Sequence, residues 1–168
     1  EDVIICEATD TLESAVRTMK DRGCGCVPVV DDRSRVVGLV TDRDAVMCAL
    51  SQGNRLRDLR VAQACTRNVI CCEAEDTLER AEMVMRVNQV RCLPVVADRR
   101  VLVGVISLTD LARHVEFLVG ESGTGLSPRR IAILLAETSG VRREPLPPRR
   151  EPGRESSSQP IIEPFFHG

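Results

Sequence analysis

Val3-Ile4-Ile5-Cys6-Glu7-Ala8-Thr9-Asp10-Thr11-Leu12-Glu13 returns, 66 residues later, as Val69-Ile70-Cys71-Cys72-Glu73-Ala74-Glu75-Asp76-Thr77-Leu78-Glu79. The register then holds without a gap. Met19 matches Met85, Cys26 matches Cys92, Pro28-Val29-Val30 matches Pro94-Val95-Val96, Val37-Gly38 matches Val103-Gly104, and Asp44 matches Asp110. An ungapped match of this length means two copies of one structural unit.

Both copies read as β-α-β-β-α. A short apolar strand (Ile4–Cys6, Ile70–Cys72) precedes a helix. Asp10 or Asp76 reads as that helix's N-cap, with Glu13 or Glu79 completing a capping box. The apolar face of the first helix holds Leu12, Ala15, Val16 and Met19; Leu78, Ala81 and Met85, with Val84 beside them, serve in the second copy. Two further strands follow near Cys26–Val30 and Val36–Val40, joined by the turn-forming Asp31-Asp32-Arg33-Ser34. Their copies are Cys92–Val96 and Val101–Ile106, joined by Ala97-Asp98-Arg99-Arg100. A closing helix spans Asp42–Leu50 or Leu108–Val119. One unit alone buries too little surface to be stable, so the two are expected to pack sheet to sheet.

The chain has 168 residues, 43% hydrophobic and 29% charged, enough for a core and too apolar for general disorder. Its longest apolar runs, Ile131–Ala136 among them, are far short of the roughly 20 residues that span a bilayer, so no membrane partner is expected. No basic-then-apolar leader opens the sequence, which favours a cytoplasmic protein. Residue 1 is Glu, and the segment matching Val61–Cys65 would lie upstream of it, so the N-terminus reads as truncated. The net charge of −2 supplies no basic field for nucleic acid. There are three Phe and no Tyr or Trp, with only Phe117 near the repeats. A bound ring would be gripped by aliphatic and backbone groups rather than by stacking.

On these features the sequence resembles a tandem cystathionine-β-synthase (CBS) domain pair, or Bateman module. The marks are the element order, the Val27-Pro28-Val29-Val30 and Leu93-Pro94-Val95-Val96 strands, and a closing motif that occurs twice. It reads Gly38-Leu39-Val40-Thr41-Asp42-Arg43-Asp44, then Gly104-Val105-Ile106-Ser107-Leu108-Thr109-Asp110. The resemblance covers residues 1 to about 119. It implies an α/β (α+β) fold: two repeats packed as one pseudo-two-fold module, with a C-terminal helix and a disordered tail appended. The expected divisions are repeat one over 1–50, a linker over 51–60, repeat two over 61–119, a hinge and helix over 120–140, and a Pro/Arg-rich tail over 141–168.

The resemblance further implies a non-catalytic sensor that binds AMP, ADP, ATP or S-adenosylmethionine between the repeats, needs no cofactor, forms a homodimer and signals to an effector protein. The residues suit that chemistry. A carboxylate in the first turn of a helix can accept hydrogen bonds from both ribose hydroxyls, and Asp44 and Asp110 stand there. Thr41 and Ser107 sit at the N-cap, where a hydroxyl and free N–H groups favour phosphate. Arg43 adds charge that Thr109 cannot, so the first site is the better one for a phosphorylated ligand. By analogy the base slots between Val3 or Ile4 with Val27 and Pro28, and between Val69 or Ile70 with Leu93 and Pro94. Thr66 is a further phosphate contact of the family type. Thr/Ser-x-x-Asp is also a plain capping spacing, and that role stays open for both aspartates.

The remaining features carry less. The eight cysteines lack C-x-x-C spacing and read as small buried hydrophobes, with Cys24 and Cys26 as a local redox alternative. No metal triad, nucleophile–base pair or supported carboxylate pair points to an enzyme or a metal site. A ligand-free interaction scaffold and a thiol or metal sensor are the competing classes. Gly120–Ser127 imitates a phosphate-binding loop but has Leu126 where Lys is needed, and reads as a hinge. Ser127 and Pro128 open a helix whose face of Ile131, Leu134, Leu135 and Thr138 is suited to docking, and Gly140 ends it. Six of the nine prolines fall between Pro145 and Pro164, so the tail reads as disordered. Its Pro145–Arg150 polyproline pattern and its Phe165-Phe166 end are weak signals for partners.

Overall fold

A computed structural model describes residues 3–117 and 127–138. The expected hinge over 120–126, the Gly140 stop and the tail over 141–168 lie outside the described residues. Repeat one runs β1 (Cys6–Glu7), α1 (Leu12–Arg22), β2 (Cys26–Val30), β3 (Val36–Thr41) and α2 (Asp42–Gln52). A 3₁₀ turn at Leu56–Asp58 and the short α3 (Val61–Ala64) connect it to repeat two. That repeat runs β4 (Cys72–Glu73), α4 (Leu78–Asn88), β5 (Cys92–Ala97), β6 (Val101–Ser107) and α5 (Leu108–Phe117), and α6 (Pro128–Thr138) follows. The β-α-β-β-α order expected from the sequence is present in both copies.

Each repeat builds its own three-stranded sheet, ordered β1-β2-β3 or β4-β5-β6. The first pair is parallel and the second antiparallel in both. The opening strands are two residues long and begin at Cys6 and Cys72, later than the apolar runs suggested. β2 and β5 lie in the middle of their sheets, which is why they read as continuous apolar runs rather than alternating ones.

The caps of α1 and α4 correct the sequence reading by one residue. Asp10 spends its carboxylate on the Glu7 N–H (2.8 Å), and Asp76 does the same with Glu73 (2.9 Å). Thr11 and Thr77 are therefore the N-caps, accepting from Ser14 N–H and Arg80 N–H. Glu13 pairs forward with Arg17 instead of closing a box. The far end of α1 turns through Gly23 at φ 64°, and its copy in α4 uses Gln89 at φ 54°.

The hairpins diverge. Asp31 holds the first by accepting from the N–H groups of Arg33 and Arg35 and from Arg35 Nε (2.8 Å). Ala97 offers no such acceptor. There β5 continues into a 3₁₀ turn, Asp98–Arg100, with Arg99 and Arg100 at positive φ.

The cores are aliphatic, as the composition required. Leu12, Ala15, Met19, Val27, Val29, Val40 and Ala45 fill repeat one, joined by Leu59 and Val61 from the connecting segment. Backbone bonds sew that segment down: Leu12 N–H to Leu59 O, Val61 N–H to Asp10 O and Ala62 N–H to Ala8 O, each 2.9 Å. In repeat two, Ala81, Met85, Leu93, Leu108 and Leu111 are joined by Leu134 of α6. The docking expected of α6 is present, with Ile131 and Leu134 facing the core. Leu135 is half-exposed instead. The Ser127 hydroxyl accepts from Arg130 N–H at 3.4 Å. Arg130 also reaches across to Glu82 on α4, which is 1% exposed and stands where repeat one has Val16.

The repeats meet where β3 and β6 begin. Val36, Val69 and Val96 are buried together there, flanked by Leu39, Cys71 and Leu102. Arg35 bridges to Val101, and Leu102 N–H donates to Ser34 O (2.9 Å). Arg100 donates to Val36 O and Val69 O. One finding corrects the reading of the cysteines as packing groups only: Cys26 and Cys92 form a disulfide. Cys24, which the sequence offers as the alternative local partner of Cys26, is free.

Candidate functional site

The two closing motifs fold alike. Thr41 caps α2, accepting from Asp44 N–H at 3.1 Å, while Asp44 Oδ2 accepts from Thr41 N–H (3.0 Å) and the Thr41 hydroxyl (2.7 Å). Ser107 and Asp110 repeat the arrangement at the start of α5, with 3.2, 2.8 and 2.6 Å. The capping role open in the sequence is thus filled in both copies. Both bonds to each aspartate fall on the same oxygen, Oδ2, which fixes the carboxylate at the first helical turn. Asp44 is half-buried and Asp110 exposed.

Gly38 explains the first residue of the motif. A Cβ there would come within 3.2 Å of Cys65 Sγ and of Val29 Cβ. The bare glycine lets the Cys65–Thr66 segment lie against β3, where Leu39 and Thr66 exchange backbone bonds of 3.0 and 2.9 Å. Thr66, far away in sequence, is thereby brought beside the strand that ends at Thr41. Gly104 is looser, with Val95 no closer than 3.6 Å.

The other residues singled out from the sequence separate by burial. Arg43 is exposed, its N–H bonded to Asp42 Oδ1 (2.7 Å), and it borders a shallow depression with Asp42, Val46 and Met47. Val27 and Leu93 are fully buried in the two cores, and Pro28 and Pro94 are buried beside them. Ile4 is half-buried against the core of repeat one, and Ile70 is exposed. The apolar surface left for a ligand is therefore smaller than the strand sequences suggested.

Thiol chemistry differs sharply by position. Burial pushes the Cys6 thiol up to about 12, with Asp10 and Cys65 adding to the effect. Burial likewise raises Cys71 and Cys72. Cys6 and its copy Cys72 point their sulfurs at the carbonyls of Pro28 and Pro94. Beyond their matching positions in the repeat, no sequence signal points to the pairing of Cys26 with Cys92. Among the described residues no group of three or more His, Cys, Asp or Glu could hold a metal ion, and no helix is long and apolar enough to cross a membrane.

Comparison with known proteins agrees with this architecture. Hypoxic response protein 1 of Mycobacterium tuberculosis is 30% identical over 105 residues, 62% of this chain and 73% of that protein. Inosine-5'-monophosphate dehydrogenase of Methanocaldococcus jannaschii is 31% identical over 114 residues, which are 68% of this chain but 22% of that enzyme. The fold is shared with a CBS domain pair solved in complex with 5'-methylthioadenosine and S-adenosyl-L-methionine (TM-score 0.61, 24% identity, 67% of this chain and 88% of that one). The CBS domain model matches residues 1–50 and again 57–116, and the chain belongs to that family as a tandem pair.

Proposed function

We propose that the chain is a non-catalytic regulatory module that binds an adenosine-containing ligand of the AMP, ADP or ATP class between its repeats. The observation that carries this reading is the backbone pairing of Thr66 with Leu39, two residues before the Thr41–Asp44 cap on the same strand. Asp44 would take the ribose hydroxyls. Thr41, Thr66 and Arg43 would face the phosphates at the helix N-terminus. Ser107 and Asp110 would form a second, weaker site, since Thr109 supplies no cation. Ile4 and Ile70 would border the base, over the buried Val27, Pro28, Leu93 and Pro94. S-adenosylmethionine belongs to the same chemical class, and a member of this fold holds it, in a relative distant enough to lend the fold alone.

Thermal unfolding with AMP, ADP, ATP and S-adenosylmethionine tests this. At a hundredfold excess over Kd, one of them should raise Tm by roughly 5–10 °C. Asp44→Ala should abolish that rise, and Asp110→Ala should leave most of it. A rise that survives in both variants would overturn the site assignment.

A second reading, a dimerisation scaffold, is favoured by one feature. Val46, Met47 and Leu50 on α2 are 61%, 53% and 75% exposed, an apolar stripe on a helix otherwise packed against its own repeat. Such stripes suit contact with another chain. A dimer by sedimentation with no response to any of the four ligands would favour this reading over the first.

A further inference from the structure

Cys26 and Cys92 occupy the same position in the two copies, 66 residues apart. Cys26 heads β2 directly opposite Thr41 in the ladder, and Cys92 heads β5 directly opposite Ser107. The bond therefore joins the two repeats beside both capped helix starts. It is the covalent counterpart of the apolar contact of Val36, Val69 and Val96. Both cysteines are partly exposed, so a small thiol can reach them. Cys6 and Cys72, by contrast, are buried with raised thiols, which withholds the thiolate that exchange requires. The pair that spans the repeats is thus more open to exchange than Cys6 and Cys72, the buried copies on the opening strands.

We propose that Cys26 and Cys92 are a reversible thiol–disulfide modification site that fixes the two repeats relative to one another. A low-molecular-weight disulfide such as oxidised glutathione is the oxidant. One cysteine, as thiolate, attacks that disulfide and expels a thiolate, leaving a mixed disulfide. The second cysteine, also as thiolate, attacks the protein sulfur of the mixed disulfide and expels the second small thiolate. Two protein thiols are oxidised, one small disulfide is reduced to two thiols, and the two protons released by the cysteines pass to the leaving thiolates. A small dithiol reverses the sequence.

Because the bond lies beside Thr41 and Ser107, closing it also sets the distance between the two caps. A change in ligand affinity follows from this, and that consequence alone rests on the function proposed above.

The whole chain, equilibrated with oxidised glutathione or with dithiothreitol, tests the site. The oxidised sample should yield a peptide pair linked through Cys26 and Cys92, with both cysteines alkylated after reduction. Oxidation should raise Tm by roughly 5–10 °C, because the bond closes a loop of 66 residues. It should also slow exchange of the Leu39, Thr66 and Leu102 amides, which bond across the junction between the repeats. Cys26→Ser and Cys92→Ser should each remove the difference between the redox forms, and Cys24→Ser should keep it. A linked pair other than Cys26–Cys92, or redox forms with equal Tm and equal amide exchange, overturns the proposal. AMP affinity measured in both forms should differ by about fivefold or more. A linked pair with slowed exchange but no nucleotide binding in either form would support the redox site and count against the nucleotide reading.

Discussion

Repeat one and repeat two start from nearly the same sequence and are finished by different means. Repeat one is covered by the segment that immediately follows it, and Leu59 and Val61 complete its core. Repeat two is covered by α6, and Leu134 completes its core. The first cover is held by backbone hydrogen bonds and apolar contact. The second adds a charge pair, with Glu82 almost wholly buried under Arg130, where the first repeat has Val16. A duplicated unit thus keeps its sheet and helices while its cover is free to change. What tolerates a carboxylate at that position is the cation the cover brings with it.

The largest expected effect tests that difference. Glu82→Ala strips Arg130 of a buried partner and should cost about 2–3 kcal/mol, below the full range for buried pairs because Arg130 is 37% exposed. Urea unfolding would measure the loss, and amide exchange in α6 should rise with it. The double variant Glu82→Val with Arg130→Met imitates the apolar cover of repeat one and should recover most of the stability, since an apolar pair of similar volume often replaces a buried ion pair without loss. A loss below about 0.5 kcal/mol in Glu82→Ala would show that the pair does not hold the cover.

A smaller effect separates the two glycines of the closing motif. Gly38→Ala must displace Cys65 or Val29 from 3.2 Å and should cost about 1–2 kcal/mol. Gly104→Ala meets only ordinary contact and should fall within about 0.5 kcal/mol of wild type. Gly38→Ala should also loosen the Leu39–Thr66 pairing, seen as faster exchange of both amides. Equal costs at the two glycines would mean that the Cys65–Thr66 segment does not constrain repeat one.

Why some of this was legible in the sequence follows from the same comparison. Duplication made the element order plain, because every strand and helix had a second witness at a fixed offset. The caps were misplaced by one residue because Asp10 and Thr11 both have capping chemistry, and only the bond from Glu7 N–H decides between them. Val27 and Leu93 read as ligand walls from the strand pattern, and that pattern alone does not show that both are fully buried in the cores. Glu82 could not be foreseen as buried. Its helical position is apolar in the first copy, and its partner lies 48 residues away, beyond the end of the second repeat. Cys26 and Cys92 matched in the alignment of the copies. Their meeting depends on how one repeat is turned against the other, which no property of either copy states.

The smallest effect lies at the hairpins, where repeat one has Asp31 and repeat two has Ala97. The side-chain bond from Arg35, helped by the Arg35 and Arg33 N–H groups, holds the Asp31 carboxyl at about 2, below its ordinary 3.8. A folded-state value below the unfolded one means the native protein holds the proton less tightly. The stabilisation is therefore complete above pH 3.8 and is lost as pH falls toward 2. Asp31→Ala, which gives the first hairpin the residue found in the second, should lower Tm slightly at neutral pH. The gap to wild type should shrink through that window and close near pH 2. The Arg35 side chain is 44% exposed, so salt should narrow the gap as well. A gap that stays constant from pH 7 to pH 2 would assign the effect of Asp31 to chain geometry rather than to its charge, and the two hairpins would then differ only in shape.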